Sequence, residues 1–248
     1  MINFYKSVLY QNFFSLPSTI IKTVRRNRSG QKFEPEVKAL STLIKPGSFC
    51  LDVGGAYGRY AFPLSSMVGP QGRIYSFEPG SYSCKVLKFV KLFFGLHNVV
   101  IIKKAVSDRA GSIELCLPPK KSGKLGPSLA HIHSQPKADS FCERVDMLTL
   151  DDFVKEENLS RVDLIKCDTE GAELLVFRGA LSLINRFRPI VLTEIDASNM
   201  ARYGQKPSDM LDFFRAWNYR LMVWDNEAFI PVTCAEKPGN YFFIPERL

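Results

Sequence analysis

Residues 49–61 read FCLDVGGAYGRYA: an apolar run that reaches Asp52, then glycines at 54, 55 and 58. An apolar run that passes into a glycine turn and on into a helix-length segment is how a parallel βαβ unit opens. Glycine at such a turn lets the backbone approach a ligand, and the N-terminus of the following helix favours negative charge. The spacing is D-x-G-x-x-x-G. A G-x-G-x-x-G fingerprint begun at Gly54 needs glycines at 56 and 59, where the chain has Ala56 and Arg59. A nicotinamide-dependent oxidoreductase is disfavoured on that ground.

Outward from the turn the rhythm continues. RIYSF (73–77), VVII (99–102), VDLIKC (162–167) and PIVLTEI (189–195) are short apolar runs without period-two polarity, as strands buried on both faces require. Helical candidates lie near 57–68, 81–95, 149–157, 171–186 and 207–216. This alternation predicts an α/β fold with a mostly parallel sheet and right-handed crossovers. YRLMVWD (219–225) and NYFFIPE (240–246) are joined by only 14 residues without a helical pattern, so they are expected to pair antiparallel. Residues 118–141, with four prolines, four serines, His131 and His133, read as a long surface loop.

Composition narrows the class further. The 248 residues are 46% hydrophobic and 23% charged, which excludes disorder as the dominant state. No repeat of fixed period is present, which excludes a solenoid. Lys and Arg outnumber Asp and Glu by 33 to 25, yet no acid precedes Glu34. Residues 1–33 hold six of the basic residues, and the remainder is nearly balanced. The chain therefore divides into a basic, partly helical arm or cap (1–47) and a near-neutral domain (48–248). The arm is either a solvated terminus or a contact for an anionic membrane surface or an anionic substrate. Ile2, Tyr5, Leu9 and Phe13 recur at helical spacing before Pro17, and nothing there is long enough to span a bilayer. The six cysteines include no C-x-x-C pair, and several sit in apolar runs. They read as free buried thiols of a reducing, cytoplasmic setting.

Three sites carry acidic groups at strand ends. Glu78 in FEPG (77–80) lies 24 residues beyond Gly54, where it is placed to accept two ribose hydroxyls of an adenosine-containing cofactor. A helix N-cap carboxylate is the competing reading. DLIKCDTEGAELLVFRGA (163–180) crowds Asp163, Lys166, Asp168, Glu170 and Glu173 around a strand end. Ligands of open parallel sheets bind outside the carboxyl ends of the strands, where Asp168 belongs. Lys166 falls within the strand and needs a carboxylate partner. Glu173 reads as a first-turn carboxylate answering the helix dipole. If the next strand is a neighbour, Glu194 in EID (194–196) converges on Asp168. The pair would then divide acid/base work or, with Asp196, hold a divalent cation. No metal site is predicted.

Taken together, LDVGGAYGRY, FEPG, AVSDRAGSIEL (105–115), TLDDF (149–153), VDLIKCDTEGAE (162–173) and RPIVLTEI (188–195) resemble the FkbM-type family of S-adenosylmethionine-dependent methyltransferases. The resemblance implies a Rossmann-like seven-stranded methyltransferase sheet, mostly parallel with an antiparallel C-terminal strand. It implies O-methylation of a hydroxyl on a sugar, glycolipid or secondary metabolite, with S-adenosylhomocysteine as product. Asp52, Gly54, Gly55 and Gly58 would cradle the methionine end of the cofactor, and Glu78 would hold the ribose. Ala105, Val106 and Ser107 would lie near the adenine. Asp168 would line the site beside the methyl group and orient or deprotonate the acceptor, with Glu194 as second candidate. The family often has a histidine after the glutamate of the fifth strand; here Ile195 and Asp196 follow.

A different class is a non-catalytic cofactor-fold module that binds nucleic acid or membrane through its basic arm. The near-neutral main domain, without a visible basic stripe interleaved with aromatics, counts against nucleic acid. FFGL (93–96) and DFF (212–214) read as core-facing helix residues.

Overall fold

The computed structural model describes residues 16–29, 33–117, 131–132 and 141–246. Its strands are β1 (Phe49–Val53), β2 (Arg73–Phe77), β3 (Val99–Ile102), β4 (Ala105–Val106), β5 (Gly111–Leu117), β6 (His131–Ile132), β7 (Phe141–Leu148), β8 (Leu164–Cys167), β9 (Ile190–Ile195), β10 (Tyr219–Asp225), β11 (Ala228–Pro231) and β12 (Gly239–Pro245). Its helices are α1 (Leu16–Ser29), α2 (Pro35–Leu43), α3 (Ala61–Val68), α4 (Ser81–Phe94), α5 (Leu150–Glu156), α6 (Glu173–Arg178), α7 (Leu181–Phe187), α8 (Ala197–Met200) and α9 (Pro207–Ala216).

The main sheet runs β11-β10-β12-β9-β8-β1-β2-β3. Strands β3, β2, β1, β8 and β9 are parallel, and β12 enters antiparallel between β9 and β10. This is the expected Rossmann-like sheet, mostly parallel with antiparallel C-terminal strands, but with eight strands where seven were expected. The 14-residue connection read as patternless contains β11, which adds an antiparallel edge beside β10. From β1 the chain steps outward to β2 and β3, then returns to β8 on the other side of β1. The carboxyl ends of β1 and β8 thus flank the topological switch point, where open α/β sheets bind ligands.

Burial explains the uninterrupted apolar strands. Leu51, Val53, Phe77 and Ile165 face one core with Phe177, Phe214 and Phe243. Cys50, Ile74, Leu164 and Leu192 face the other with Leu64, Leu87 and Phe242. Val37, Ala39 and Leu40 of α2 join the second core, so this part of the segment 1–47 is packed against the sheet.

Several details differ from the sequence expectation. The helix expected at 57–68 starts at Ala61, because residues 57–60 remain in the glycine turn. The helix expected at 171–186 is two, α6 and α7. At the break, a Cβ on Gly179 would lie 2.1 Å from the Ser107 carbonyl oxygen. Asp151 then accepts the amides of Ser182 and Leu183 and caps the first turn of α7. Phe93 of the FFGL segment is 44% exposed, not core, whereas Phe214 of DFF is fully buried.

Two of the six cysteines are not free thiols. Cys116 and Cys142 face each other across β5 and β7 and form a disulfide, leaving Cys50, Cys84, Cys167 and Cys234 as thiols. Cross-strand register brought together two residues 26 apart that no spacing motif links. These strands belong to a second sheet, β4-β7-β5-β6. The long-loop reading of 118–141 falls mostly outside the described residues, as do His133 and the helical spacing at 2–13; His131 lies in β6. Among the described residues no helix is long and apolar enough to cross a membrane.

Candidate active site

A buried polar row crosses the centre of the sheet. Asp52 is in register with Ser76 on β2 and with Lys166 on β8, each the penultimate residue of its strand. The Ser76 hydroxyl donates to Asp52 Oδ2 at 2.8 Å, and Lys166 Nζ lies 3.8 Å from Asp52 Oδ1. The ammonium also donates to the Gly54 carbonyl at 3.2 Å, lies 3.5 Å from Asp168 Oδ2, and sits 5.0 Å from the centre of the Tyr60 ring. Burial pulls the Lys166 pKa down, but Asp168 and Asp52 outweigh it and the net direction is upward. Burial pushes the Asp52 pKa up against the opposing pull of Lys166 and Ser76. Asp52 Oδ1 is buried without a hydrogen-bond partner.

The glycine turn is built against the protein itself. A Cβ on Gly54 (φ +77°) would lie 1.9 Å from the Asp168 carbonyl oxygen, and one on Gly55 would lie 2.1 Å from Ser76 Oγ. Gly54 and Gly55 donate their amides to the Phe77 carbonyl, Ala56 to Glu78 Oε2, and Gly58 to the Gly55 carbonyl. Four of the turn's N–H groups are therefore engaged internally and not offered to a phosphate. That arrangement suits a cofactor without phosphates better than a dinucleotide, whose pyrophosphate needs free amides.

Glu78 follows β2. Its Oε1 accepts the Gly80 amide and its Oε2 the Ala56 amide, both at 2.8 Å. It thus serves both readings, since it braces the entry to α4 and keeps further lone pairs for hydroxyl donors. Burial raises its pKa to about 7, against the two amide hydrogen bonds. Beside Gly80 stands Leu115, which packs in a small buried cluster with Ala105, Val145 and Met147. Val106 and Ser107 are buried as well, with the Ser107 amide bonded to the Leu148 carbonyl. This edge has an apolar wall.

Because β8 and β9 are neighbours, Asp168 and Glu194 do converge. Oxygens of Asp168, Glu173 and Glu194 lie within 4.8 Å of one another. Burial, then the charges of Asp168, Glu170 and Glu173, push the Glu194 pKa to about 7. Glu173 Oε1 accepts the amides of Thr169 and Gly171 and the Thr169 hydroxyl, as a helix-start carboxylate should. Asp196 is drawn away from this cluster. It caps α8 through the amides of Ser198 and Asn199, and its hydrogen bond from the Ser198 hydroxyl holds its pKa low. The spacing of the three carboxylates also suits one divalent cation. A proton shared among them would relieve the same repulsion.

Sequence reasoning placed Asp52, Glu78, Asp168 and Glu194 but missed Ser76, Tyr60 and the convergence of Glu173 on the other two carboxylates. The signal for Ser76 was present: three neighbouring apolar strands each carry one polar residue in penultimate position. Comparison with known proteins gives the family. The family model of the methyltransferase FkbM domain matches residues 52–221, from the buried aspartate of β1 into β10.

The chain belongs to the FkbM methyltransferase family.

Methyltransferase sdnD of Sordaria araneosa is 28% identical over 158 residues, which cover 53% of this chain and 60% of that protein. The solved methyltransferase FkbM of Methylobacillus flagellatus KT superposes with a TM-score of 0.51 at 14% identity, covering 85% of this chain and 50% of that one. A SAM-dependent methyltransferase of Aquifex aeolicus gives 0.48 at 18% identity, over 92% and 98% of the two chains. The chain thus spans less than two thirds of the length of the first two relatives. The FkbM family implies S-adenosylmethionine as methyl donor, and the residues present fit it. Glu78 has acceptor capacity for a ribose diol, the turn withholds its amides from phosphate, and Asp52 Oδ1 is a buried acceptor without a hydrogen-bond donor.

Proposed function

We propose that the protein is an S-adenosylmethionine-dependent O-methyltransferase whose acceptor is a hydroxyl of a sugar, glycolipid or other small metabolite. The observation that carries this reading is the position of Asp168. Its backbone abuts Gly54 of the cofactor turn, and its carboxylate meets that of Glu194 at the adjoining strand end. One residue therefore joins the cofactor pocket to a carboxylate with a pKa near neutrality, which is where a general base for a hydroxyl works best.

Glu78 would hold the ribose hydroxyls, with Ala105, Val106 and Ser107 on the adenine side. Asp52, Gly54, Gly55 and Gly58 would shape the pocket for the amino-acid end. When bound, S-adenosylmethionine supplies an activated methyl group on a positively charged sulfur. The chain's own task is alignment and proton removal. Glu194 would accept the hydroxyl proton at a carboxylate oxygen. Asp168, held by Lys166 at 3.5 Å, would orient the same hydroxyl.

A thermal-shift titration with S-adenosylhomocysteine and NAD, on the natural chain and on Glu78→Ala, tests the cofactor. Stabilisation by S-adenosylhomocysteine alone, lost in the variant, is expected; about 2.7 kcal/mol accrues at 100 times the Kd. A shift with NAD, or with neither, would overturn the reading. Incubation with methyl-labelled donor and a panel of polyhydroxylated acceptors then tests the class of nucleophile. Label recovered on nitrogen or carbon instead of oxygen would contradict it.

A further inference from the structure

We propose that the paired outer faces of α1 and α4 form a docking surface for an anionic lipid bilayer. The two helices run side by side in the same direction. Thr19 Oγ1 lies 2.8 Å from the Tyr82 hydroxyl near their starts, and the Arg28 guanidinium covers the Phe93 ring at 5.1 Å near their ends. Neither helix contains an acid, and none occurs anywhere in residues 1–33 or 79–107. Lys22, Arg25 and Arg28 of α1 and Lys85 and Lys88 of α4 are exposed. Between them stand exposed apolar side chains: Leu92 at 81%, Ile21 at 51%, Phe93 at 44% and Phe89 at 40%. A cluster of large apolar side chains flanked by cations from both helices is the composition of an interfacial surface, not of a solvated face.

A cavity of about 370 Å³ extends the patch toward the edge strand β3. Lys88, Lys91 and His97 stand among the residues that line it, together with Leu96, Val100 and Ile101. Basic groups over an apolar lining match a lipid phosphate above its acyl chains. Charge complementarity selects an anionic partner, and the shape of the apolar groups selects lipid over nucleic acid. The most exposed group is the aliphatic Leu92, which gives a base nothing to stack on. The two exposed phenylalanines stack on each other, 6.1 Å apart and 18° from parallel, and Arg28 covers Phe93. Their faces are engaged within the protein.

The most exposed apolar groups of the surface stand off from the proposed chemistry. Gly80, just before α4, is bonded to Glu78, whereas Leu92 and Phe93 lie at the far end of the helix, about 17–18 Å along its axis at 1.5 Å per residue.

Flotation of the full chain with phosphatidylcholine vesicles, with and without about 30% phosphatidylserine, is the test. Recovery only with the anionic vesicles is expected, falling at least ten-fold between about 0.05 M and about 0.5 M salt. Leu92→Glu and the double variant Lys22→Glu/Lys88→Glu should each lower partitioning at least five-fold at low salt. Both keep the natural melting temperature and S-adenosylhomocysteine affinity, because these side chains are exposed. Equal recovery with neutral and anionic vesicles would overturn the proposal. So would tighter binding to single-stranded RNA at the same salt, or a dimer in solution that Leu92→Glu dissociates.

Discussion

Gly54 and Asp168 meet backbone against backbone, so closely that a Cβ on Gly54 would lie 1.9 Å from the Asp168 carbonyl oxygen. The contact locks the end of β1 to the end of β8 and ties the glycine turn to the Asp168 side of the crevice. Gly54 also has φ +77°, where L side chains are strained. Gly54→Ala is expected to lose about 2–4 kcal/mol of stability, from left-handed strain plus overlap with backbone. Denaturant unfolding measures it, and a loss under about 1 kcal/mol would mean that the two strand ends separate easily.

Lys166 is the electrostatic centre of the site. Lys166→Met leaves Asp52 buried with only the Ser76 hydroxyl, and removal of one partner from a buried pair costs about 3–5 kcal/mol. The double variant Asp52→Asn/Lys166→Met should be more stable than Lys166→Met alone, because no uncompensated charge remains. A double-mutant cycle by chemical denaturation checks the sign. Additive losses would show that the row is not coupled.

Glu78 carries a pH dependence of defined sign. Its folded pKa, pushed up to about 7 by burial, lies above the ordinary carboxylate value of 4.5. A raised acid contributes stability that is fully present below about 4.5 and lost as pH rises through about 7. The cofactor-free protein should therefore melt higher at pH 5.5 than at pH 8 on account of this residue, and Glu78→Gln should flatten that slope. Cofactor affinity should run the other way, since ribose hydroxyls need the ionised acceptor. The Kd for S-adenosylhomocysteine is expected to rise as pH falls through 7, and at least ten-fold in Glu78→Gln at pH 8, about 1.4 kcal/mol. Calorimetry at several pH values decides it.

The sheet order was legible because its signals are local. Each parallel strand is an apolar run of four to six residues, and each glycine or acidic turn follows a strand end. Asp168 and Glu194 could be paired in advance because adjacent strands ending in acids must bring them together. What escaped depends on register across separate strands or on packing of side chains. Cys116 and Cys142 meet only because β5 and β7 align Leu115 with Glu143 and Cys116 with Cys142. Phe89 and Phe93 have the helical spacing of core residues, and only the placement of α4 at the surface exposes them. The split of α6 from α7 likewise follows from the crowding of Gly179 against Ser107, a contact between residues 72 apart.

Glu194 as base predicts a methyl-transfer rate that falls as pH drops through about 7, where its carboxylate takes up a proton. The apparent value belongs to the coupled carboxylates, so Asp168→Asn should shift it downward by removing a neighbouring charge. Glu194→Gln should lower kcat by about 10²-fold or more and abolish the limb. A shared proton, not a cation, also predicts activity unchanged within about two-fold after chelation. Activity lost to chelator and restored by Mg²⁺ would assign the three carboxylates to a metal instead.

The disulfide extends the site to the second sheet. Cys142 precedes Glu143, whose carboxylate accepts both the amide and the hydroxyl of Ser81 at the start of α4, next to the Gly80–Glu78 bond. Closing a loop of this length restricts the unfolded chain by about 3.5 kcal/mol. Thiol titration in denaturant should therefore find four thiols before reduction and six after it. Cys116→Ser/Cys142→Ser should be less stable by about that amount, and loosening of β7 should weaken S-adenosylhomocysteine binding several-fold through Glu143. Glu143→Gln with the disulfide intact separates the two effects: it should reproduce the affinity loss while losing at most about 1–2 kcal/mol of stability. Affinity unchanged in both variants would confine the disulfide to a structural role in the second sheet.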